Sequence, residues 1–145
     1  MDVEFEQVDD LHGLVEFDEK LGDAEYEEKI YQWLNSSIRE LRSETRMTEA
    51  IDILFSKRLM AKCSWTGLGK QGEKIAMMKM VNIVKLFRRI GTTEYVALNP
   101  RMVMLFFMKK LKNAGKRVHL KNLRRSTAHS VASQRIKLEQ LEKFD

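Results

Sequence analysis

Three features of this chain invite a chemical reading: a glycine-rich turn, a lone thiol and three histidines. Gly67-Leu68-Gly69-Lys70-Gln71-Gly72 has the G-x-G-x-x-G spacing of a dinucleotide site. There the glycines open a turn between a strand and a helix, so that backbone N–H groups reach a pyrophosphate. The residues before Gly67 have helical periodicity and no βαβ pattern surrounds them, so that chemistry is not expected. The stretch also fails as a phosphate-binding P-loop, because Glu73 stands where the lysine is needed. The glycines then serve a sharp turn between two helices. Cys63 would need a positioned base to act as a nucleophile. Lys62 and Lys70 would favour its thiolate, but no base is marked, and a structural thiol is the expectation. His12, His119 and His129 are too far apart in sequence for zinc-site spacing. The carboxylates crowd into the first half at solvated helix positions, and no pair stands out for acid–base work. No catalytic residue, cofactor or metal ligand is therefore assigned, and a non-enzyme is expected.

The elements that would position any site are helices. Low proline and glycine content with abundant Leu, Lys, Glu and Met favours helix over strand. Asp9 or Asp10 caps a first helix bearing Leu14, Phe17 and Leu21. Gly22 ends it and Asp23 caps the next. From Ala24 to about Leu41, Tyr26, Ile30, Trp33, Leu34, Ile38 and Leu41 define one buried face, with Asn35-Ser36-Ser37 as a place for a bend. Thr45 or Thr48 caps a third helix, with Ile51, Leu54, Phe55 and Leu59, running to about Lys62. After the glycine-rich loop, periodicity resumes at Ile75 and runs to Ile90, with room for a break between Met80 and Ile83. Asn99-Pro100 starts another helix, Asn as the cap and Pro at the first helical position. It runs to about Asn113 and stops at Gly115. The fold class expected is all-α, a compact bundle of five to six short helices with a basic C-terminal helical extension. The core domain spans 8–91. The extension, 92–145, holds an apolar helix over 99–114, a basic segment over 109–125 and a terminal helix over 130–144.

Charge is distributed unevenly. Residues 1–56 carry sixteen acidic and five basic side chains, a net of −11, whereas residues 57–145 carry five acidic and twenty-one basic, a net of +16. Asymmetry of this size points to a nucleic acid, an acidic partner or self-association, or to acidic helices packed beside basic ones. A single cysteine excludes an internal disulfide and fits a reducing compartment. The acidic N-terminus lacks the pattern of a secretory signal, and the longest apolar stretch, Met102 to Met108, is too short to span a bilayer. An intracellular location is expected, nuclear rather than cytoplasmic, and no membrane partner.

Some of these stretches have a family likeness. Leu54-Phe55-Ser56, Ser64-Trp65-Thr66-Gly67 and Gly69-Lys70 stand in the order found in domain of unknown function 4806, a helical domain found largely in arthropods. In that pattern a helix ending in Leu-Phe leads to a Tyr-Ser-Trp-Thr-Gly loop, a glycine–lysine turn and a closing amphipathic helix. The chain resembles this family over about residues 8–91, with Cys63 where an aromatic is usual and Ile75 near an expected phenylalanine. The resemblance implies a compact helical module, often in larger nuclear or transposon-like proteins, with no assigned catalytic residues.

Two binding surfaces are expected. The first is apolar: Met102, Met104, Leu105, Phe106 and Met108 sit in a helix with too few polar positions for a surface helix, so burying it calls for the core, a partner or a second copy. Trp65 is either a plug of the core or an interface anchor. The second is basic: Lys109, Lys110, Lys112, Lys116, Arg117, Lys121, Arg124 and Arg125 fall within seventeen residues. They suit phosphate neutralisation on DNA or RNA, an acidic partner, or nuclear import. The expected function is a non-catalytic protein–protein interaction or self-association module, an adaptor in a nuclear or nucleic-acid-related complex. The alternative is accessory, sequence-independent nucleic-acid binding through the basic segment.

Overall fold

In the computed structural model, which describes residues 3–127 (116–127 as backbone alone), six α-helices surround one hydrophobic core. They are α1 (Leu11–Lys20), α2 (Ala24–Ser37), α3 (Ser43–Leu54), α4 (Lys57–Ala61), α5 (Val81–Gly91) and α6 (Pro100–Thr127). The expected terminal helix over 130–144 lies outside the described residues.

The helix starts follow capping chemistry. Asp10, Asp23 and Asn99 each accept from the backbone N–H three residues on, at 2.8, 3.2 and 2.9 Å. The stops are equally local. Ser36 and Ser37 turn their hydroxyls back to the Trp33 carbonyl, and α2 ends there instead of running to Leu41.

The expectation of an all-helical chain needs correction in its middle. The described chain is mostly helical but carries four two-residue strands there. Strands β2 (Leu68–Gly69) and β3 (Gly72–Glu73) form an antiparallel hairpin, and β1 (Cys63–Ser64) pairs in parallel with β4 (Ile75–Ala76). The glycine-rich stretch is that hairpin. Gly67 and Gly72 have φ of 91° and 130°, which a side chain would strain. Ser64 Oγ accepts from Gly67 N–H at 2.9 Å, tying the loop to its own backbone. Strand pairing takes Ile75 out of the helix expected there. Met77–Lys79 is a 3-10 turn, and α5 begins only at Val81.

Three other boundaries differ. The third helix breaks at Phe55, because Val8 inserts a backbone bridge: its N–H donates to Leu54 and its carbonyl accepts from Ser56 N–H. Ser56 then caps α4. Neither Thr45 nor Thr48 caps α3, which starts at Ser43 with Arg42 in the cap position and no side-chain cap. Finally, α6 does not stop at Gly115. It continues as one helix to Thr127, so the apolar and basic segments share a single axis. Val103, Phe107, Leu111 and Ala114 of α6 are buried in the same core as α1–α5.

Arg46 is the one charged side chain among the buried described residues. Its Nε donates to the Ile90 carbonyl (2.7 Å), Nη1 to the carbonyls of Ile38 (3.3 Å) and Glu40 (3.1 Å), and Nη2 to Asn35 Oδ1 (2.5 Å). These acceptors lie at the C-terminal ends of α2 and α5 and, for Glu40, in the link after α2; at the helix ends unpaired carbonyls and the helix dipole favour a cation. Replacing Arg46 with Met leaves those acceptors buried and unpaired. The expected loss is about 3 kcal/mol, seen as a lower urea midpoint, with Arg46→Lys recovering less than half because an ammonium's donors sit on one nitrogen and cannot reach acceptors spread around three. An unchanged midpoint for Arg46→Met would refute this account.

Candidate protein-binding groove

The helix that looked apolar all round has two faces. Val103, Phe107, Leu111 and Ala114 point inward. Met102, Leu105 and Met108 face solvent and remain 41%, 48% and 45% exposed. Beside that outer strip lies an open groove of about 670 Å³. One wall is α6, through Met102, Leu105 and Phe106. The other is built from Leu41, Tyr95 and Val96, and Met47 and Leu98 lie between. Leu41 and Tyr95 are 72% and 76% exposed. An open apolar groove with a few charged groups at its rim is a candidate binding site.

Fixed loops hold these side chains in place. The Arg46 hydrogen bonds pin the link between α2 and α3, and Leu41 projects from it. The segment 92–98 is held by its threonines. Thr93 Oγ1 accepts from the N–H groups of Tyr95 and Val96, both at 3.1 Å, and Thr92 Oγ1 accepts from Leu98 N–H at 3.1 Å. Arg88 Nε donates to the Leu98 carbonyl at 2.8 Å. Gly91 allows the close approach beneath, since a Cβ there would stand 2.3 Å from Leu98 Cδ1 and 3.1 Å from Met47. The rim carries Arg42, Glu44 and Lys109, the last two 3.6 Å apart and well exposed. The buried Ser43 hydroxyl has no hydrogen-bond partner.

The apolar residues singled out from sequence are only partly brought together. Met102, Leu105 and Phe106 line the groove, with Phe106 itself buried; Met104 is half-buried, and Met108 lies on the solvent strip beside it. Trp65 is not at the groove. It is half-buried and stacks on Phe107, ring centroids 6.0 Å apart and planes 23° apart. Of the basic set, Lys109 and Lys112 are exposed and Lys110 is half-exposed. Lys116, Arg117, Lys121, Arg124 and Arg125 lie on the α6 backbone beyond the described side chains. The opposite wall was missed. Leu41 had been placed on the buried face of α2, and Tyr95 and Val96 lie in a loop without periodicity.

A second recess, about 460 Å³, runs along Glu4 to Asp10 and α1 and is lined by five carboxylates with Lys20. A general acid would need a raised carboxyl pKa, whereas Asp9 is held below its ordinary value by hydrogen bonds from Ser56 and Arg58. Among the described residues no group of His, Cys, Asp and Glu is placed to hold a metal, and no helix is long and apolar enough to cross a membrane. Cys63 is fully buried, its Sγ 3.4 Å from the Leu59 carbonyl, and burial pushes its pKa up to about 12.

A domain of unknown function (DUF4806) matches residues 2–90. The chain belongs to this family. No curated protein and no solved structure matches. The groove straddles the edge of the DUF4806 match: Leu41, Met47 and the Arg46 anchor lie inside it, whereas Tyr95 and all of α6 follow it.

The Cys63 environment makes a testable prediction. Its thiol should resist a thiol reagent at about pH 8 in the folded protein and react at once in denaturant. Because the folded pKa lies above the ordinary 9.0, the contribution of the neutral thiol is full below pH 9 and declines as pH rises from 9 towards about 12. Urea midpoints for Cys63→Ala should therefore fall less steeply above pH 9 than those of the unaltered chain. Parallel curves would contradict the assignment.

Proposed function

We propose that this chain is a non-catalytic protein-binding module, acting as an adaptor in a nuclear or nucleic-acid-related complex, and that the α6 groove is where it binds. The supporting observation is the groove itself: a contiguous apolar surface on rigid walls, rimmed by charge. A binding surface held by its own hydrogen bonds loses little conformational freedom when occupied, which favours affinity. Phe106 also contributes to the core, so Leu105 is the better residue to alter. Affinity capture from nuclear extract with the full chain as bait should retain specific proteins. Leu105→Glu, folded by circular dichroism, should lose them, a weakening of at least about tenfold for a central apolar contact. Retention of the same proteins by Leu105→Glu would overturn the assignment of the groove.

One observation favours a second reading, accessory nucleic-acid binding. Because α6 runs unbroken to Thr127, Lys109 to Arg125 lie along one continuous helix. Such a helix suits phosphate contacts without base readout. Neutralising Lys109, Lys110, Lys112, Lys116 and Arg117 together should weaken binding to a short DNA duplex and flatten the slope of log K against log salt by up to about 4. An unchanged slope would remove this reading.

A further inference from the structure

The groove's surroundings indicate what fits it. On α6, Arg101, Lys109 and Lys112 share the solvent side with Leu105, since they lie four before, four after and seven after it in a helix. The outer face of α6 is therefore an apolar strip flanked by cations, with Arg42 across the groove. Glu44 offsets one of these charges through its contact with Lys109. A twofold pairing of this face with itself would set Arg101 of one copy opposite Lys109 of the other, like against like. The complementary surface is an apolar strip flanked by carboxylates.

The chain has such a surface on its opposite half. On α1, Leu11 and Val15 are exposed one helical turn apart. Glu16 and Glu19 are exposed beside them, Glu16 paired with Lys20 at 3.1 Å, while the Asp18 carboxylate accepts from Ile83 N–H at the start of α5. Other exposed apolar side chains away from the groove do not fit: Leu68 and Met78 are close in sequence to Lys70 and Lys79, and Val81 lies one turn before Lys85. Away from the groove, α1 is the described helix that presents two exposed aliphatic side chains one turn apart beside carboxylates.

We propose that copies of this chain associate head to tail, the α1 face of one seated in the α6 groove of the next. The inference rests on the groove being a protein-binding site. The carboxylates of α1 then face Arg101, Lys109 and Lys112 of the next copy. The contact is heterologous, so each copy keeps one unused α1 and one unused groove at its ends, and the assembly grows beyond a dimer or closes as a ring. The exposed part of α1 is small, so the contact falls near the lower size limit for specific complexes and weak association is expected.

The test is molar mass by light scattering, with the full chain from roughly 5 to 300 µM at about 0.1 M salt, spanning the expected affinity. Mass should rise with concentration, and the rise should weaken severalfold at about 1 M salt. Val15→Glu spoils the α1 face and Leu105→Glu spoils the groove. Both positions are exposed, so each variant should keep its helical spectrum and be monomeric alone. Mixed, they should form a one-to-one dimer and nothing larger, because one supplies an intact groove and the other an intact α1. A monomeric unaltered chain across the whole range would overturn head-to-tail association, while the capture experiment judges the protein-binding reading separately. Association unaffected by Val15→Glu, or a mixture that stays monomeric, would overturn it too.

Discussion

A guanidinium buried without a carboxylate is the constraint on which the rest of this structure depends. Arg46 has five N–H donors in a fixed plane. Its partners are three carbonyls and an asparagine side chain, drawn from the end of α2, the link after it and the end of α5. No neutral side chain reaches all of them. The interaction satisfies carbonyls that two helix ends would otherwise leave unpaired, and it dictates where the link runs. Leu41 and Arg42 are carried on that link, so a buried polar contact on one side of α3 sets the apolar wall and rim on the other.

Aromatic packing supplies the second tie. Phe5, Phe17, Phe55, Phe87, Phe107 and Trp65 form a continuous series of ring contacts, with centroids 5.0 to 6.2 Å apart. The series starts in the N-terminal segment, passes through α1, the α3–α4 break and α5, and reaches α6 and the tryptophan loop. Such pairs contribute about 0.5–1.5 kcal/mol each beyond area burial. Trp65, the most distinctive residue of the family-like loop, thus acts on the helix outside the DUF4806 match. It holds the inner face of α6 and so orients the outer one.

What could be read from sequence was what local chemistry decides. Asp23 and the Asn99-Pro100 pair marked helix starts because an N-cap needs only an oxygen three residues before an orphan N–H. The apolar faces of α1 and α2 were legible as far as their periodicity held. Long-range pairing was not. Nothing around Val8 announces that it will break a helix at Phe55, and nothing in Ile75-Ala76 announces a strand, because both depend on partners far along the chain. Leu41 was misread for the same reason: two serine hydroxyls end α2 four residues earlier, and the periodic pattern then continues by coincidence. Gly115 was read as a stop, yet glycine within a helix costs only about 1 kcal/mol, which the surrounding turns can absorb. At the groove, α6 was visible as a helix with too many apolar positions. The facing wall was invisible, since Tyr95 and Val96 derive their placement from threonine hydroxyls in an aperiodic loop.

The charge asymmetry bears on why the groove is left open. Part of it is neutralised within the chain, where Asp9 meets Arg58, Glu27 and Glu28 meet Arg89, and Glu44 meets Lys109. Exposed pairs like these add little stability, typically below 1 kcal/mol. They do not explain a separation of charge so much larger than the pairs consume. Isolated exposed residues such as Leu68 and Val81 need no special account, because every protein surface contains some. Met102, Leu105, Tyr95 and Leu41 form one patch whose walls are held by side-chain-to-backbone hydrogen bonds and a glycine that no side chain can replace without displacing Leu98. A surface that only had to stay soluble would place charges along α6 instead. Cations at its edges and hydrophobes at its centre fit the proposed interface, in which the apolar part would supply affinity and the charged border would select an acidic partner.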